Sequence, residues 1–217
     1  MPFFYSLGVG LAHVCFSTFA RWEVTGRESV PPLGRLLVVS NHLSYADPPV
    51  LGAALPRVVH FLGQDGLFDN PITAAVMKAW KVHPVDRSEN DSGAVLWAIR
   101  ALNREQTVGL FPEGRRNPTG MRMAHSGIAY IAARTQTPIL PVGITGTENI
   151  PGYWRILLAF HKIRVNIGTP FTLPPIDGKL ERGVLDSLTE MIMLRIAALL
   201  PKEYRGDYGA ARPRVAS

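Results

Sequence analysis

The residues best suited to chemistry in this chain are clustered in Asn41-His42-Leu43-Ser44-Tyr45-Ala46-Asp47. A histidine near its usual pKa of ~6.5 accepts a proton at neutral pH. It does so best when a carboxylate fixes its tautomer and stabilises the imidazolium. Asp47 stands five residues after His42 and just before Pro48-Pro49, so a turn folds it back onto the ring. Two more polar clusters follow, Asp86-Arg87 and Phe111-Pro112-Glu113-Gly114. Arg87 offers a fork of donors suited to phosphate or carboxylate. Glu113 closes an apolar run, and Gly114 lets a substrate come close to the backbone. Together these supply a base, its orienter and an anion clamp, with no evident covalent nucleophile. A lone His-x4-Asp pair is a weak signal. The fuller pattern Asn-His-x-Ser-x-x-Asp arises by chance on the order of once per thousand chains of this length, at ~5% usage per residue type.

Ser44 invites a serine thioesterase or lipase reading. It lies two residues from His42 and lacks a Gly-x-Ser-x-Gly elbow, so a loop-shaping hydrogen bond suits it better. His13, His42, His60, His83, His125 and His161 form no His-Glu-x-x-His pair, and Cys15 is the single cysteine, so no metal or other cofactor is expected.

The elements needed to position these groups are legible. Leu36–Ser40 is a short, apolar, β-branched run and predicts a buried strand. Strands are also expected at Arg57–Leu62, Val82–Val85, Thr107–Phe111, Ile139–Ile144 and Ile163–Ile167. Helices are expected at Pro49–Leu55, Ile72–Trp80, from the Ser88-Glu89-Asn90-Asp91 caps to about Glu105, and at Ser126–Thr135. Leu185, Leu188, Ile192, Ile196 and Leu199 fall at helical spacing. This alternation predicts an α/β fold with a mainly parallel central sheet covered by helices on both faces. Each polar cluster leaves the carboxyl end of a predicted strand, the edge where such sheets bind ligands.

The chain has 217 residues, 47% hydrophobic and 18% charged, with a formal net charge of +6. That is less charged than the ~25% of typical soluble domains. The positive balance favours anionic partners, an anionic membrane surface among them. No Cys-His finger or dense basic run with interleaved aromatics supports a nucleic-acid role. Residues 1–20 hold no Asp, Glu, Lys or Arg, and Arg21-Trp22 is a pairing typical of a membrane interface. Three organisational units follow: an apolar membrane-associating helix over 1–22, an α/β domain over 23–204 and a basic, poorly ordered tail over 205–217. Both a spanning and an interfacial placement of the first unit fit its length. A non-catalytic protein that binds anionic lipid would share these bulk properties.

On these residues the chain resembles the glycerolipid acyltransferases typified by lysophosphatidic acid (1-acylglycerol-3-phosphate) acyltransferases, from about Leu36 to Pro170. Asn41, His42, Ser44 and Asp47 match the family's first motif, and Val85-Asp86-Arg87 the second. Phe111-Pro112-Glu113-Gly114 matches the third in full, and Pro138-Ile139-Leu140-Pro141-Val142 the fourth. The resemblance implies that His42, oriented by Asp47, deprotonates an acceptor hydroxyl, which attacks the thioester of acyl-CoA or acyl carrier protein. It implies a lysophospholipid acceptor held by Arg87, Glu113 and Gly114, with Asn41, Ser44, Phe111 and Pro112 around it. Pro138, Leu140 and Pro141 would border the acyl chain. It also implies a place on the cytoplasmic membrane face, peripheral or held by one N-terminal helix. The chain departs from the pattern at Gln64 and His125, where lysine is common, and at Arg115, where threonine is usual. Arg115, Arg116 and Arg122 are candidate replacements for the missing cations.

Overall fold

The structure, a computed structural model, describes residues 3–85, 92–148, 150, 162–176 and 178–209. Helix α1 (Phe3–Phe19) leads into strand β1 (Arg21–Thr25), followed by β2 (Leu36–Ser40), α2 (Asp47–Ala54) and β3 (Val59–Gln64). Then come α3 (Pro71–Ala79), β4 (Val82–Val85), α4 (Ser92–Asn103), β5 (Thr107–Leu110), α5 (Gly127–Thr135), β6 (Ile139–Thr145), β7 (Lys162–Ile167) and α6 (Arg182–Ala198). The strands form one sheet in the order β1-β7-β6-β2-β5-β3-β4, parallel everywhere except between β6 and β7.

Alternate residues of β2 point into two separate cores, so a strand buried on both faces reads as continuous apolar sequence. Leu36 and Val38 pack with Phe16 of α1 and Val50, Leu51 and Ala54 of α2. Leu37 and Val39 pack with Leu102 of α4, Ile128 of α5 and Ile192 of α6. The chain therefore leaves β2 toward one face, through α2, and leaves the neighbouring β5 toward the other, through α5. A crevice opens between adjacent strands whose connections diverge in this way, at their carboxyl ends. The clusters that begin at Asn41 and Phe111 flank that crevice.

Two expectations change. Residues 21–22, expected in the N-terminal apolar unit, instead open β1, whose exposure alternates along Arg21–Thr25 and whose Trp22 ring stacks on Phe16 at 5.2 Å. A half-exposed strand carrying Arg21 and Glu23 lacks the apolar run that betrays a buried one. Nor does the ordered chain stop at residue 205. Gly206–Tyr208 forms a 3-10 turn in which Asp207 Oδ2 accepts from Met123 N at 3.0 Å and the Tyr208 hydroxyl accepts from Ala124 N at 3.3 Å. Residues 210–217 lie outside the described residues.

No helix among the described residues is long and apolar enough to cross a membrane. α1 is docked along one side: Tyr5, Ala12 and Phe16 are buried, the Tyr5 hydroxyl accepts from Val59 N at 3.0 Å, and Gly8 lies against Trp80. Its other side exposes Phe3, Phe4, Leu7, Leu11 and Val14, and Ile72 and Val76 of α3 are exposed as well.

Candidate active site

Asp47 opens α2, followed by two prolines whose missing N–H groups cost nothing in a first helical turn. The preceding loop wraps around its carboxylate. Oδ2 accepts from Leu43 N at 2.6 Å and Ser44 N at 2.8 Å, and meets His42 Nδ1 at 2.7 Å. Oδ1 accepts from the Thr147 hydroxyl at 2.6 Å. Asp47 is fully buried, so each of these bonds replaces water it has lost. With Asp47 serving as acceptor throughout, the ring proton of neutral His42 belongs on Nδ1. Its Nε2 lone pair is then the basic one. Nε2 has no hydrogen-bond partner among the described residues, and the side chain keeps 15% of its surface exposed.

The β5 loop fixes the same histidine from the other side. His42 N donates to Glu113 Oε1 at 3.1 Å, and the His42 carbonyl accepts from Asn117 N at 2.7 Å. The imidazole stacks on Phe111, with centroids 4.1 Å apart and planes 19° apart. Phe111 in turn stacks over Phe61 of β3 at 6.3 Å. Glu113 Oε2 accepts from Arg122 N at 2.9 Å, so this buried carboxylate ties the His42 loop to the segment after it. Burial pushes its pKa up to about 7, against the pull of the two N–H bonds; nearby Asp47 adds to the rise. Gly114 turns at φ +69°, and a β-carbon there would come within 2.9 Å of His125 Nε2.

Asn41 is a structural clamp. Its amide donates to the Ile144 carbonyl at 2.9 Å and accepts from Ile144 N at 2.8 Å, extending the β2–β6 pairing into the loop. Ser44 is buried and its Oγ accepts from Ala46 N at 2.9 Å, which makes it a loop former.

Beside Glu113 lies a cavity of about 680 Å³, walled by Arg115, Asn117, Thr119–Met123, His125, Gly206 and Asp207. Arg115 and Arg122 thus face one space. Arg116 turns elsewhere: its guanidinium carbon sits 3.3 Å over the Tyr45 ring, covering the His42 loop. Gln64 ends β3 on the same edge and is exposed. Arg87 falls outside the described residues.

Pro138, Leu140 and Pro141, expected along the acyl chain, lie within the β2–β6 pairing. The Pro138 carbonyl accepts from Leu37 N at 2.9 Å, and Leu140 and Pro141 pair with Val38 and Val39. Leu140 and Pro141 are buried and Pro138 is half-buried, so all three brace the sheet. The segment that reaches the His42 loop runs from Ile144, near the end of β6, to Thr147 just beyond it. Sequence reasoning missed Thr147, although Thr145-Gly146-Thr147 is a polar cluster leaving a predicted strand and the edge rule applies to it equally.

The acyltransferase family model matches residues 21–145, more than half of the chain. The 1-acyl-sn-glycerol-3-phosphate acyltransferase of Bacillus subtilis is 25% identical over 178 residues, 82% of this chain and 87% of that one. The enzyme of the same name from Borreliella burgdorferi is 32% identical over 131 residues, 58% of this chain and 52% of that one. The crystal structure of the 1-acyl-sn-glycerophosphate (LPA) acyltransferase PlsC from Thermotoga maritima superposes with a TM-score of 0.70 at 24% identity, covering 90% of this chain and 78% of that one, and so shares the fold. The His42–Asp47 pair thus lies within the segment that the family model matches, and the chain belongs to the glycerolipid acyltransferase family as an acyl-transferring enzyme.

Proposed function

We propose that the protein is a 1-acylglycerol-3-phosphate O-acyltransferase in which His42 is the general base. The observation that carries this reading is the 2.7 Å bond from His42 Nδ1 to an Asp47 carboxylate saturated with donors, which leaves Nε2 to take the proton of the acceptor hydroxyl. The alkoxide-like oxygen attacks the thioester carbonyl of acyl-CoA or acyl carrier protein. The carbon–sulfur bond breaks, and the thiolate leaves with the proton returned from His42. The names of the Bacillus and Borreliella relatives support the acceptor. So does the cavity beside Glu113, where Arg115 and Arg122 offer planar forks for a phosphate.

A membrane site suits a lipid acceptor. The exposed apolar side of α1, with Phe3, Phe4, Leu7 and Leu11, would enter the bilayer surface, each side chain contributing about 1.5–3 kcal/mol if fully buried. The net charge of +6 favours an anionic, cytoplasmic leaflet.

The test is direct. Purified protein, given labelled acyl-CoA in one arm and acyl carrier protein thioester in another, should convert 1-acylglycerol-3-phosphate to phosphatidic acid. His42→Ala should lose on the order of 10²-fold or more of that rate. An unchanged rate removes His42 as the base, and absence of diacyl product with both donors removes the acceptor.

A further inference from the structure

At the opposite, amino-terminal edge of the sheet, a cavity of about 520 Å³ lies between α4 and the β3–β4 margin. Its walls include Lys78 from the end of α3, Lys81 just ahead of β4, and Arg100 and Arg104 from α4, with no acidic side chain among the described residues lining it. None of these four cations makes an ion pair among the described residues. Four like charges around one concavity repel each other unless an anion joins them.

Two further features belong to the same walls. His60 of β3 lines the cavity, and its Nδ1 is buried without a hydrogen-bond partner. That nitrogen is closed off from solvent, so His60 contributes to the wall through the rest of its ring. Lys81 occupies the residue just past the α3 C-cap at φ +57°, where glycine is the usual choice. The helix dipole accounts for a positive charge there. It does not account for a residue with a β-carbon in a left-handed conformation. Beside them, the His83 and Trp97 rings stack at 4.8 Å and give the cavity a flat aromatic wall.

We propose that this groove binds a phosphorylated small molecule or headgroup, with Lys78, Lys81, Arg100 and Arg104 taking the phosphate and the His83–Trp97 pair flanking the remainder. The volume lies in the ~300–1,000 Å³ range of small-molecule sites and exceeds what a bare ion fills. The site is separate from the His42 crevice, because the length of β3 and β4 runs between the two edges of the sheet. It is also independent of the identity of the acyl acceptor.

Calorimetric titration with inorganic pyrophosphate and with ATP tests the soluble source. Sedimentation with phosphatidylcholine vesicles, with and without phosphatidic acid, tests the headgroup source. Wild-type protein should bind in at least one arm, more weakly as KCl rises. The double substitution Lys81→Gln, Arg104→Gln should weaken that binding at least ~10-fold, since charge-assisted bonds are the strong ones. Arg115→Gln, Arg122→Gln, which alters the active-site cavity, should weaken it less than Lys81→Gln, Arg104→Gln does. If the first double variant melts early, Arg100→Gln, at an exposed helical position, carries the comparison. No binding in either arm, or equal binding by wild type and the Lys81/Arg104 variant, overturns the proposal. So does a loss seen only in the Arg115/Arg122 variant.

Discussion

The two ends of the active-site crevice are built differently. Around His42, the ring, both backbone groups and the partner carboxylate are held by buried bonds that β2, β5 and β6 all contribute to. Around the 680 Å³ cavity, by contrast, Arg115, Arg122 and His125 are exposed side chains on one loop. Preorganised geometry belongs where charge develops in the transition state. Adaptable side chains suffice where a ground-state phosphate is held.

Asp47→Asn breaks the rigid end most severely. The amide reproduces the shape but puts a donor among atoms that all donate to it, and His42 loses the partner that sets its tautomer. The acyl-transfer rate should fall on the order of 10³-fold, about 4 kcal/mol, with little change in KM. A fall of less than ten-fold would mean that Asp47 serves the loop and not the ring.

Glu113 belongs to the rigid end as well, and its effect is on stability. Its folded pKa of about 7 exceeds its ordinary 4.5, so the folded protein holds that proton more tightly than the unfolded chain does. The contribution is complete below pH 4.5 and is lost as pH rises through 7. Across that window wild-type stability should drop by up to about 3 kcal/mol from this group. Glu113→Gln does not ionise. Urea unfolding at pH 5 and pH 8 should show a smaller drop in the variant than in wild type. Equal drops would place the titration elsewhere.

At the adaptable end, Arg115→Ala and Arg122→Ala should each raise KM for the phosphate-bearing acceptor about ten-fold, leaving kcat within about two-fold. Arg116→Ala, which removes a guanidinium from the Tyr45 ring, should leave that KM unchanged. If Arg116 shifts KM and Arg115 does not, the assignment of the cavity to the phosphate fails.

Much of this contrast was legible in the amino-acid order because buried parallel strands read as apolar runs, and polar clusters after them mark one edge of the sheet. The spacing of His42 and Asp47 admits their bond, and the strand before them and the fuller motif around them make it a firmer expectation than the pair alone. What stayed hidden depends on partners distant in sequence. β1 carries Arg21 and Glu23 on an exposed side, where Lys162 and Arg164 of β7 pair with Glu23, and no local pattern announces that. The Glu113 side chain reads as a substrate ligand in sequence, yet it spends both oxygens on backbone N–H groups 71 and nine residues away. Pro138–Pro141 matches a motif, and only the β2–β6 register shows that its place is at the far end of the strand.

Thr147 is the smallest of these effects and the sharpest probe of the rigid end. Its hydroxyl donates to Asp47 Oδ1 across 100 residues of sequence, from a position with no exposed surface. Thr147→Val keeps the shape and removes that donor alone. Asp47 Oδ1 is then left buried and unpaired, at a cost of about 1–3 kcal/mol. Part of that cost falls on stability, and part on how firmly the carboxylate holds the imidazole as it becomes charged. A loss in kcat of about ten-fold with KM unchanged is expected, and Thr147→Ser, which restores the hydroxyl, should recover most of it. A purely structural role predicts a different pattern: a lower Tm in Thr147→Val with kcat intact in the protein that remains folded. Measuring kcat, KM and Tm on all three proteins therefore separates a residue that supports the fold from one that positions the base through Asp47.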